Sequence, residues 1–218
     1  RPGNYEVELG VNLRDLIFGL ADGMLEGHEI KAVYPGGSSS PVLAADELDH
    51  PYSFEAMAEA GSMLGSGSII VADDSVSIPH MALRTARFYH HESCGKCSPC
   101  REGTNWTVKM LERVVRGEAT PMDLDIISSV QQNIIGHCLC VLGDSMAMPV
   151  SAMVKKFRDE FEQVIAAGAI QGFPDAVGGA GQADGSAPGD SGDGPETADR
   201  IRLVGRPLPE GPQEITHG

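Results

Sequence analysis

Three cysteines at intervals of three, in ESCGKCSPCREGTNW (residues 92–106), are the residues whose type and spacing best suit chemistry. Two C-x2-C steps sharing Cys97 put the thiols of Cys94, Cys97 and Cys100 within reach of one centre. A continuous helix would spread positions i, i+3 and i+6 around its circumference, so the segment must curl into a loop. Gly95 permits the tight backbone, and Pro99 ends the curl by opening the next helix. A [4Fe–4S] cluster takes four cysteines, and this run is a familiar frame for part of the set. The fourth is expected at a distance, within GHCLCVLGD (136–144).

The main rival is a structural zinc ion, with His91 or His137 replacing one cysteine. Zinc ribbons and fingers use separated cysteine pairs, whereas three cysteines in one loop suit the face of a cube better. Buried free thiols acting as small hydrophobes are the blandest reading, and the charged Glu92, Lys96 and Arg101 beside them argue against it. His90 and His91 read as a solvated pair favoured by a helix C-terminal dipole.

The elements that must hold this loop are legible on either side. VNLRDLIFGLAD (11–22) predicts a helix capped by Asn12, with Leu13, Leu16, Ile17 and Leu20 at helical spacing. NYEVEL (4–9), HEIKAVY (28–34) and GSGSIIVAD (65–73) carry strand signals, giving a small α+β domain over residues 1–74. PGGSSSP (35–41) and GSMLGSGS (61–68) look like phosphate cradles, but neither has the lysine of a P-loop nor a G-x-G-x-x-G entering a helix. Both read as turns.

Residues 75–172 read as four amphipathic helices in a bundle. The first is SIPHMALRTARFYHHE. The second opens at Ser98-Pro99 and stops at Gly117, and the third opens at Thr120-Pro121 and stops at Gly136. The fourth is one continuous helix, MPVSAMVKKFRDEFEQVIAAG. Trp106 and the pair Phe157 and Phe161 fall on apolar stripes and read as core. From residue 173 onward, Gly, Ala, Asp, Ser and Pro dominate, the composition of a disordered tail, with IRLVG as an apolar island.

The chain carries a formal charge of −15 over 218 residues, against a nucleic-acid-binding surface or docking on anionic lipid. No apolar run approaches the roughly 20 residues that span a bilayer. Five cysteines, all crowded into two short clusters, suit metal or redox chemistry in a reducing compartment better than a disulfide framework. Arg1 opens a segment that reads as the middle of something, so a piece of a longer protein is expected.

ESCGKCSPCREGTNW followed by CVLGD resembles the NADH-binding flavoprotein subunit of bacterial respiratory complex I. YEVELGVNLRDLI, KAVYPGGSSSPVL, AGSMLGSGSIIVAD and FRDEFE fall in the same order as in that family, so the resemblance covers residues 1 to about 170. It implies a β-grasp domain of the soluble ligand-binding type, then a helical bundle carrying the [4Fe–4S] cluster that takes electrons from FMN and passes them toward quinone. Cys94, Cys97, Cys100 and Cys140 carry over as ligands, while Cys138 has no place in the pattern. In a near-extended loop, Cys138 is expected to point the opposite way from Cys140.

Nothing in the chain matches the family's FMN and NADH site, which precedes the β-grasp part, so neither FMN binding nor NADH oxidation is expected of this chain alone. The implied partners are a thioredoxin-like [2Fe–2S] subunit and further iron–sulfur subunits. The implied location is cytoplasmic, peripheral on the inner face of the cell membrane through the complex. The equivalent subunit of an NAD-linked hydrogenase or formate dehydrogenase is an alternative reading. A non-redox binding module with a structural zinc site is the alternative from another class.

Overall fold

The computed structural model describes residues 1–168; the expectations for residues 169–218, the tail and its IRLVG island included, lie outside them. The described part is α+β, with a three-stranded sheet and seven helices. Helix α1 (Leu13–Asp15) is capped by the Asn12 side chain, which accepts from the Arg14 N–H, and continues as a wide π turn over Leu16–Leu20. Strand β1 (Ile30–Tyr34) lies between β2 (Leu43–Ala44) and β3 (Ile70–Asp73), both antiparallel to it. A short helix, α2 (Phe54–Glu59), is capped by Ser53.

The sheet has two buried faces. Ala32 and Tyr34 of β1, with Ala72 of β3, pack on the helical half, while Val33 and Leu43 pack with Leu13, Leu48 and Met57 on the other side. This is the period-2 alternation of a strand covered on both faces. Residues 1–74 therefore share one core with the helices through one face of the sheet and hold a second core of their own.

Residues 4–9, expected as a strand, form none. Val7 packs on the second core, but the segment has no ladder; the nearest pairing is the single bridge Asn12–Pro51. Alternation made the segment amphipathic, and an extended segment becomes a strand only when a neighbour offers its hydrogen bonds.

The PGGSSSP and GSMLGSGS turns lie against each other. A Cβ on Gly36 would stand 2.6 Å from the Leu64 carbonyl oxygen, and one on Gly65 would stand 2.4 Å from that of Gly36. Ser40 accepts from the Gly36 N–H and Ser62 donates to the Pro41 carbonyl, so the hydroxyls serve the turns themselves.

The helical half comprises α3 (Ile78–Glu92), α4 (Ser98–Val115), α5 (Pro121–Ile134), α6 (Leu142–Lys156) and α7 (Arg158–Ala167). Helix α3 packs on α4 and α6, and α5 closes against the same two. The expected fourth helix is two. The first of them begins at Leu142, upstream of Met148, so Pro149 lies inside α6 rather than at its start. There the ring removes the N–H that the Ser145 carbonyl would otherwise accept from. The chain then breaks at Phe157 (φ −117°, ψ 29°). Beyond the break, Arg158 pairs with Asp125 of α5 at 2.7 Å and with Glu162 at 2.8 Å. The described residues contain no helix long and apolar enough to cross a membrane.

Candidate metal centre

Three segments meet at one end of the helical half: the C-terminus of α3, the N-terminus of α4 and the loop between α5 and α6. Helix α3 ends at Glu92 because Ser93 turns extended (φ −67°, ψ 120°), and Gly95 then takes a left-handed φ of +76°. Helix α4 starts at Ser98 with Pro99 in its first turn, so the cap position falls on Cys97, one residue earlier than expected. At the other side α5 stops at Ile134, Gly136 turns left-handed at φ +74°, and Asp144 of α6 accepts from the Gly136 N–H at 2.9 Å.

These segments bring Cys97 and Cys100 beside the α5–α6 loop. Cys100 is buried, Cys97 half-buried, and Cys94 and Cys140 exposed. The Leu139 N–H donates to Cys97 Sγ at 3.3 Å, tying the α5–α6 loop to the cysteine curl. Ser93 Oγ lies 3.3 Å from Cys100 Sγ, and the Arg101 guanidinium donates to the Gly95 carbonyl at 2.8 Å, closing the curl. Gly103 and Gly143 let the layers approach: a Cβ on either would fall within 2.8 Å of an Ile134 side-chain carbon.

Cys138 turns toward Cys100 and Gly143, while Cys140 is exposed. Cys138 is half-buried, its Sγ would stand 3.1 Å from a Cβ on Gly143, and that same point lies 3.6 Å from the Cβ of Cys100. Burial, then the neighbouring Cys100 and Cys97 thiols, pushes its own thiol up from the ordinary value. The expectation of an extended loop fails because Gly136 and the start of α6 coil the segment. His137 and His91 are exposed, and His90 Nδ1 lies 3.0 Å from Thr104 Oγ1.

The spacing of the sulfurs bears on the metal. Among the described residues, no three cysteine sulfurs lie within 4.8 Å of one another; the one group that close is the exposed trio His28, Asp73 and Asp74. Thiolates around a single tetrahedral zinc stand about 3.8 Å apart, given Zn–S bonds near 2.3 Å. A cluster sets each sulfur on its own iron and holds the ligands wider. An all-sulfur donor set met by hydrogen-bond donors fits an iron–sulfur cluster.

The cysteine curl and the α5–α6 loop lie within a stretch that resembles a known iron–sulfur binding region. Residues 80–164 match the family described as the NADH-ubiquinone oxidoreductase-F iron-sulfur binding region. Over part of their length, NADH-quinone oxidoreductase F subunits are similar to this chain. It is 47% identical over 161 residues to the F 2 subunit of NADH-quinone oxidoreductase from Rhizobium meliloti (strain 1021), covering 74% of this chain and 38% of that protein. It is 44% identical over 161 residues to the corresponding protein of Mycobacterium bovis, covering 74% of this chain and 36% of that one. The chain thus spans little more than a third of these relatives. Among solved structures, the air-oxidized NAD+-reducing [NiFe]-hydrogenase superposes with a TM-score of 0.67 at 31% identity, over 75% of this chain and 28% of that one.

Sequence reasoning missed Ser93 and the Leu139 amide. A serine one residue before the first cysteine was visible as a polar flank, but only the fold shows that it reaches past Cys94 to Cys100.

Proposed function

We propose that the chain is the electron-transfer part of an NADH dehydrogenase, with Cys94, Cys97, Cys100 and Cys140 holding a [4Fe–4S] cluster. The single observation that carries this is the meeting of the cysteine curl with the α5–α6 loop, sealed by the Leu139 N–H on Cys97 Sγ. When bound, such a cluster supplies reversible one-electron transfer. The protein's part is to fix four sulfurs, supply hydrogen bonds to them and leave one side open. Cys94 and Cys140 are exposed, and Leu139 and Val141 beside Cys140 are 80% and 72% exposed.

In the complete subunit, NADH would reduce FMN in a domain preceding this one, and the electrons would continue toward quinone through a thioredoxin-like [2Fe–2S] subunit and further iron–sulfur subunits. Residues 1–74 then correspond to a β-grasp domain and residues 75–172 to the cluster-bearing bundle, with the complex peripheral on the inner face of the membrane. The three-stranded sheet and the mutual packing of α3, α4, α5 and α6 support that division.

Anaerobically reconstituted protein tests the reading by its spectrum. A broad brown absorbance bleached by dithionite is expected; a colourless protein holding one zinc would sink it. The similarity to the NAD+-reducing hydrogenase favours a second reading, the equivalent subunit of such an enzyme. Identifying the subunits that co-purify with the native protein separates the two.

A further inference from the structure

Ser93 sits where α3 has ended and the cysteine curl has not yet begun. It is half-buried, and its Oγ lies 3.3 Å from the sulfur of buried Cys100. The Gly95 N–H also points at Ser93 Oγ, at 3.4 Å. A serine hydroxyl has one proton to give and two lone pairs to accept with. The Gly95 amide occupies the accepting side. A metal-bound cysteine is a thiolate and has no proton to offer. With Cys100 as a ligand, the Ser93 O–H must therefore donate to the Cys100 sulfur.

We propose that Ser93 sets the reduction potential of the cluster by donating a hydrogen bond to the Cys100 thiolate. This rests on the cluster reading above. A hydrogen bond to a ligand sulfur withdraws electron density and favours the more negative, reduced form, and its weight grows where water is excluded. Cys100 is 7% exposed, whereas Cys94 and Cys140 are open to solvent. The other donor described at these sulfurs is the Leu139 backbone N–H on Cys97, which no side-chain change removes. Ser93 is the one that substitution can switch off, and so it is a positioning residue for electron affinity.

The test compares wild type, Ser93→Ala and Ser93→Thr in the full chain after anaerobic reconstitution, reading iron per chain, the midpoint by redox titration, and the iron–sulfur stretching bands by resonance Raman. Expected are full iron content in all three, a lower midpoint in Ser93→Ala, and a wild-type midpoint in Ser93→Thr, which keeps the hydroxyl. Wild type should show a shift of its iron–sulfur bands in deuterium oxide that Ser93→Ala shows more weakly. An unchanged midpoint in an alanine variant with full iron overturns the proposal. Loss of iron in the alanine variant overturns it too, since the serine would then secure the loop rather than tune the cluster. Wild type that takes up no iron–sulfur chromophore would instead refute the cluster reading before Ser93 is in question.

Discussion

The two ends of the helical half are held together by different means. Where α3, α6 and α7 meet the sheet, side chains interlock: fully buried Met153 and Phe161, Tyr34 with its hydroxyl 3.0 Å from Thr85 Oγ1, Lys156 on Glu47, and Lys31 3.5 Å from Glu160. At the cysteine end Ile134 packs close to Gly103 and Gly143, a few hydrogen bonds tie the loops, and Leu139, Cys140, Val141 and Cys94 are exposed. One end is closed by packing alone; on the proposed reading, thiolate ligation helps to close the other. Binding free energy at such a site is largely folding free energy, because the unfolded chain holds no preformed site.

The strongest way to break this contrast is to remove the cluster. Chelation should lower amide protection by orders of magnitude over residues 92–101 and 135–142, then loosen α4 and α5, and spare the core of Leu13, Leu43, Leu48 and Met57. Hydrogen exchange on loaded and stripped protein would show it region by region. Equal protection in both forms would mean that packing alone closes both ends.

Single thiols sharpen the same point. Cys140→Ser should abolish or convert the cluster signal, while Cys138→Ser should leave iron per chain unchanged, because Cys138 packs beside Gly143 at the margin of the core. Iron analysis and electron paramagnetic resonance decide it, and the reverse pattern would move the fourth ligand to Cys138.

At the packed end, Met153→Ala should cost about 2–5 kcal/mol in denaturant unfolding, since the side chain is fully buried between sheet and helices. The folded fraction should still bind iron, because the change lies away from the sulfurs.

A smaller effect comes from alkali. Burial pushes the Tyr34 hydroxyl up to about 12, partly offset by its bond to Thr85. The unfolded chain ionises near pH 10, so this stability is fully present below pH 10 and is lost as pH rises toward 12, about 2–3 kcal/mol in all. Tyr34→Phe should remove that loss at high pH while costing about 1 kcal/mol at neutrality for the missing hydrogen bond. Urea titrations at pH 8 and pH 11 compare the two.

Much of the helical half was readable in the sequence because its signals are local. The Cys94–Cys97–Cys100 spacing, Pro99, Thr120-Pro121 and the left-handed Gly117 and Gly136 each act within a few residues. The break at Phe157 was not readable, because Val150, Met153, Phe157, Phe161 and Ile165 keep helical spacing straight through it. The inward turn of Cys138 and the reach of Ser93 to Cys100 depend on how α4 and α6 approach each other, which no single segment encodes. Nor does a strand announce which of its faces meets another layer, so the core shared by the sheet and helices was invisible.

The two interlocked turns at Gly36 and Gly65 have a consequence for how this sequence can change. Each glycine faces the other turn's backbone carbonyls, which cannot rotate aside as a side chain can. Any side chain at one position needs the opposite main chain to retreat, and a substitution at the second position adds to that displacement instead of relieving it. Compensation by a partner mutation is therefore closed off, and the pair should reject nearly every variant in a saturation screen while the serines around it drift more freely.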